Sequence, residues 1–241
     1  MPNPTPKKVA GKVTPPPSQA DFNKRPLGKY CRSVTGMFRR LHVNNPITRQ
    51  PWPPIYFSSA GNTRFDPVGG IGTMCVGESL GGAILEKFDD FFGHEGDDSR
   101  SLTETQLRET WETLVYLPGV QLFDATGKNL SLIRADAQFA VGEYSITREW
   151  ALRMMFHPDE VDGIFFPSRH DLERKNIAIF GRPRFSKTQC YDPGLSVPNI
   201  GTWNAKPAEA GELIYGPAQV LKHHPELGAT LDELVVARLQ S

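Results

Sequence analysis

The sequence is short of cysteine, carries no net excess of either charge and contains no long apolar run. Each shortage excludes something. Cys31, Cys75 and Cys190 are an odd count without close pairs, so they form neither a disulfide framework nor a zinc site. Such sparing use of cysteine fits a reducing compartment. No stretch is apolar for the length a bilayer span needs, and a membrane role is not expected. The N-terminus lacks the apolar core of a secretory signal, so the expected location is the cytoplasm. Lys plus Arg number 27 and Asp plus Glu 27, and total charge argues neither for nor against a nucleic-acid partner.

What the chain does contain is unevenly spread. Between Lys7 and Arg64 the only acid is Asp21, whereas acids dominate from Glu78 to Glu112. That is a basic arm on a more acidic body. Pro2, Pro4, Pro6 and the run Pro15-Pro16-Pro17 crowd residues 1–24, which hold few apolar groups. Such a composition buries too little surface to offset its ordering entropy, and predicts a disordered or loosely docked arm. The 241 residues suffice for a sizeable core without a disulfide or metal staple. We divide the chain into the arm (1–24), a main domain (25–185) and a C-terminal extension packed on it (186–241).

The body reads as a mixed α and β domain. Strands are expected at residues 38–43, 73–76, 120–123, 129–133, 163–166 and 177–180. Residues 79–92 read as a helix, with Ser79 as N-cap and Gly93 as stop. A second helix is expected at 100–115, where Ser101 and Glu104 have capping-box spacing. Residues 146–156 and 231–239 complete the helices. The prolines at 46, 51, 53 and 54 make residues 44–54 a loop.

Several motifs have plainer explanations. Gly69, Gly70 and Gly72 precede a strand rather than follow one, so they make a turn and not a dinucleotide fingerprint. His223 and His224 are adjacent and cannot share a helix face. With Pro225 they read as a surface loop, as does His94 with Glu95, Asp97 and Asp98. The helix after Ser79 says more. Leu80, Ile84, Phe88 and Phe91 form its core-facing stripe, while Glu86 shares another face with Ser79, Gly82 and Ala83. A carboxylate beside small residues leaves room for a ligand, although a solvent-facing Glu explains the same pattern. Ser168 ends an apolar run and is followed by Arg169 and His170, a common place for site residues and for ordinary loops alike. No base stands at fixed spacing to activate Ser168 as a nucleophile. Arg64 can pair with a phosphate but, alone, is equally a surface charge.

Taken in order, these fragments resemble the RES domain, a family named for its Arg, Glu and Ser. The run from Phe38 to His42 looks like its first strand. Arg64-Phe65-Asp66-Pro67, Gly72 to Val76 and Glu78 to Glu86 look like its central signature. Asp124 to Gly127, Gly142 to Thr147 and Trp150-Ala151 resemble its middle segment, and Asp162 to His170 with Ile177 to Phe180 its closing motif. One position departs: the family usually carries a Tyr about eleven residues before the Glu, and here that residue is Cys75.

The resemblance implies an α+β fold with a mixed-sheet core like that of ADP-ribosyltransferase toxins. It implies an enzyme that consumes NAD+ as substrate, with no further cofactor and no metal. The reaction would be glycohydrolysis or phosphorolysis of the nicotinamide–ribose bond, or else ADP-ribose transfer to a protein. Glu86, Arg64 and Ser168 would be catalytic, and Arg40, His42, Cys75, Tyr144 and Arg169 would contact substrate. Glu86 would stabilise the oxocarbenium-like transition state, Arg64 would hold the pyrophosphate or an acceptor phosphate, and Ser168 would orient the ribose or the acceptor. The partner implied is an Xre-type antitoxin with its own DNA-binding domain, and a homodimer is left open. An alternative of another class is a RES-fold binding module without catalysis, whose basic segment from Lys7 to Arg49 contacts nucleic acid or an acidic partner.

Overall fold

Period-two burial starts the fold. Along Cys31–Val43 (β1), Val34, Phe38, Arg40 and His42 are buried on one face, while Thr35 and Met37 stand in solvent. A computed structural model of the chain describes residues 14–49, 52, 53, 55–88, 101–103, 110–135, 139, 143–168, 171–182 and 235–237. In it β1 pairs antiparallel along its whole length with Thr110–Asp124 (β4). The register shifts between Val34 and Thr35, opposite Gly119 at φ 77°. Glycine is the residue that such a bulge accommodates without strain.

Five strands close into a barrel in the order β1-β2-β6-β5-β4, where β2 is Thr73–Gly77, β5 Gly163–Pro167 and β6 Lys175–Phe180. All junctions are antiparallel except β4–β5, so the sheet is mixed as expected. Alternation sorts its side chains into two clusters. Val34, Phe38, Met74, Val76, Leu117, Phe165, Ile177 and Ile179 pack together on one face. Their chain neighbours Ile164, Phe166, Ala178 and Phe180 belong to a second cluster, covered by a helix at Tyr144–Met155. The helix contributes Trp150, Ala151 and Met154.

The arm joins that second cluster. Ser18 caps the short helix α1 (Gln19–Phe22) by accepting from Asp21 N–H, and Phe22 is fully buried. Phe22 meets Trp150 edge-on at 5.7 Å, while the Trp150 indole donates to the Thr14 carbonyl at 3.0 Å. Gln19 and Arg153 exchange further bonds with the opposite backbone. Within the segment read as a loose arm, residues 14–24 are therefore anchored.

Three elements differ from expectation. The predicted helix at 100–115 is strand at Ser101–Thr103 (β3), which pairs with a later segment of the chain, and again from Thr110 onward, where pairing with β1 overrides local propensity. Residues 129–133, expected as strand, begin a short helix, Asn129–Leu132 (α3). There Leu130 and Ile133 are both buried, three apart, which is helical spacing. In the predicted tail helix, Val235–Ala237 (β7) instead pairs parallel with β3, as two consecutive valines favour. Helix α2, Leu80–Lys87, is as expected, with the Ser79 hydroxyl accepting from Gly82 N–H. Phe91, the stop at Gly93, His94 and the His223-His224 pair lie outside the described residues. No helix among the described residues is long and apolar enough to cross a membrane.

Candidate active site

On β1 the buried face changes character along its length. Val34 and Phe38 are apolar; Arg40 and His42, at the next two positions of the same face, are not, yet are only 8% and 5% exposed. Withdrawing such groups from water is costly without partners. They border a cavity of about 520 Å³ whose wall also includes Trp52, Tyr56, Cys75, Glu86 and Lys87. The Arg40 guanidinium donates to the carbonyls of Tyr56 at 3.2 Å and Cys75 at 3.4 Å. It thereby ties the proline-rich loop to β2.

Close packing sets the position of Glu86. A Cβ on Gly77 would lie 2.7 Å from Ala83 N and 2.9 Å from the Ser79 carbonyl, so only glycine lets α2 settle on the end of β2. Ser58, Asn62 and Thr63 enter the wall from the next loop. Asp66, fully buried, shapes that loop by accepting from the Ser58 hydroxyl at 2.7 Å and from Asn62 N–H at 3.4 Å.

The electrostatics are set by burial. Desolvation first, and the Arg40 charge second, push the His42 imidazole down to about 4, so it is neutral at neutral pH. Burial, with the Glu86 charge adding to it, pushes the Cys75 thiol up to about 12. Cys75 is thus a small neutral wall residue and no nucleophile. Positive charge comes from Arg40 and Lys87, and negative charge from Glu86.

Of the residues singled out in the sequence, Arg40, His42, Cys75 and Glu86 meet around this cavity. Arg64 and Tyr144 meet each other outside its lining: the guanidinium lies 5.8 Å from the Tyr144 ring centre, and Arg64 is 1% exposed. Thr147 fixes that segment by donating to the Arg64 carbonyl at 2.9 Å. Arg64 still acts on the cavity through its field, since its charge opposes the rise at Cys75. Ser168 is 1% exposed just beyond β5, its N–H donating to the Arg174 carbonyl at 2.9 Å, and it is not in the lining. Arg169 lies outside the described residues. Sequence reasoning missed Trp52 and Lys87. A Trp between two prolines was a signal, because a large ring in a loop needs a surface to pack on.

Residues 39–199 match the family model described as the RES domain. The chain belongs to the RES-domain family. No curated protein matches it. Among solved structures, it is similar to a chain of the crystal structure of the M. tuberculosis MbcT–MbcA toxin–antitoxin complex. The TM-score is 0.51 at 10% identity, covering 68% of this RES-domain chain and 85% of that one. At that identity the likeness concerns the fold.

Proposed function

We propose that this RES-domain protein cleaves NAD+ at the nicotinamide–ribose bond, by hydrolysis or phosphorolysis. The observation that carries this reading is a carboxylate, Glu86, and a buried arginine, Arg40, on the wall of one cavity of about 520 Å³. A cavity of that size takes a large part of a dinucleotide. Bond breaking leaves an electron-poor ribose carbon, and a fixed carboxylate stabilises that charge. The electron pair of the C1′–N bond goes to the nicotinamide nitrogen, which leaves neutral. A water or phosphate oxygen bonds to C1′ and surrenders any proton it carries.

In this assignment Arg40 takes the pyrophosphate grip first given to Arg64, since Arg40 is in the lining. Arg64 adds positive field at Cys75 in the wall. Ser168 supports the end of β5, and Tyr144 holds Arg64. Because an enzyme consuming free NAD+ must be restrained in the cell that makes it, we read the chain as a toxin with a partner antitoxin. The structural neighbour, a toxin–antitoxin complex, supports that reading.

The test is NAD+ concentration over time with purified protein, with and without phosphate. Loss that accelerates with phosphate selects phosphorolysis, and loss indifferent to it selects hydrolysis. No loss, but transfer of label from NAD+ onto protein, would replace this reading with protein ADP-ribosylation. Neither loss nor transfer would leave a non-catalytic binding module.

A further inference from the structure

Two aromatic side chains in the cavity wall have no role in the chemistry above. Trp52 and Tyr56 lie with ring centres 5.2 Å apart and planes 31° from parallel. Both border the cavity and both are only half-buried, unlike the sealed rings of the core. Their backbone is tied down at each end. Trp52 N–H donates to the Val43 carbonyl at the end of β1 at 3.0 Å, and the Tyr56 carbonyl accepts from Arg40. Ile55, between them, is 1% exposed and packs in the barrel cluster. Neither ring belongs to that cluster; both stand at the edge of an open space.

Electron-rich aromatic faces attract cations, indole most of all. The substrate class proposed above carries one planar cation, an N-alkylated pyridinium. We infer that Trp52 and Tyr56 seat the nicotinamide ring and select its oxidised, cationic form. This rests on the NAD+ reading. It places ring recognition on the proline-rich loop, and reaction and phosphate contacts on α2 and β1.

Binding to the full chain tests it, using carbocyclic NAD+, whose pyridinium cannot be cleaved off, and ADP-ribose, which has no such ring. Tyr56→Leu and Trp52→Leu are each expected to weaken carbocyclic NAD+ about tenfold, within the range of a desolvated cation–aromatic contact. ADP-ribose affinity should stay unchanged, and Tyr56→Phe should bind both like wild type. Carbocyclic NAD+ should also quench indole fluorescence more strongly than ADP-ribose does, and Trp52→Phe should abolish that difference. Should the leucine variants not fold, the Trp52→Phe quenching decides alone. Equal losses for both ligands, or no loss for either, overturn the inference while leaving the NAD+ reading standing. Failure of the wild type to bind either ligand overturns both together.

Discussion

The aromatic cluster around Trp150 and the cavity wall around Arg40 belong to one small fold, and they spend burial on opposite things. Around Trp150, rings meet edge-on at 5.7 Å (Phe22) and 6.1 Å (Phe139), and the indole N–H is satisfied by Thr14. Everything there serves stability. Around the cavity, burial is applied to a guanidinium and an imidazole, neither of which gains from leaving water. Polar groups held at that cost mark a region shaped for something other than folding. The contrast predicts that the two regions respond to substitution in different quantities.

The largest effect is expected in the cluster. Trp150→Ala should cost about 3–5 kcal/mol of unfolding free energy, read by denaturant titration, with activity lost only in proportion to the unfolded fraction. Loss of activity in a protein of unchanged stability would break the comparison. Glu86→Gln is its mirror image. We expect NAD+ turnover to fall about 100- to 1,000-fold while unfolding free energy stays within about 0.5 kcal/mol. Turnover retained in the folded variant removes Glu86 from the chemistry.

His42 sharpens the comparison through pH. Its folded value, about 4, lies below the 6.5 of the free side chain, so between them only the unfolded chain takes up the proton. Stability from this group is therefore present above pH 6.5 and lost as pH falls toward 4, by roughly 3 kcal/mol over the whole window. The stability gap between wild type and His42→Gln should shrink by that amount on acidification, and a gap independent of pH would contradict it. The smallest effect concerns Cys75. With its thiol near 12, alkylation by iodoacetamide at pH 8 should run at least about a hundredfold slower than in the unfolded chain. Rapid labelling in the native protein, located by peptide mapping, would show that the wall is wetter than its burial implies.

How much of this was legible beforehand depended on the range of the interactions. Ser79 capping α2, the strands at β5 and β6 and the helix carrying Trp150 follow from residues within a few positions of one another. The stretch from Thr110 reads locally as helix because its β character comes from β1, some seventy residues earlier in the chain. Arg64 is buried with its guanidinium 5.8 Å from the Tyr144 ring centre, and no local pattern announces that contact. Trp52 reads locally as loop.

By itself, the sequence determined the period of each well-patterned element and the cap of α2. It also carried the ordered fragments that mark the RES family, because all of these are written in neighbouring residues or in their order. Only the tertiary structure decided that Arg40, His42, Trp52, Tyr56, Cys75 and Glu86 share one cavity. That depends on a barrel closed by long-range pairing and on a glycine at 77 that lets a helix settle on a strand, and neither the closure nor the fit is encoded in any single local segment.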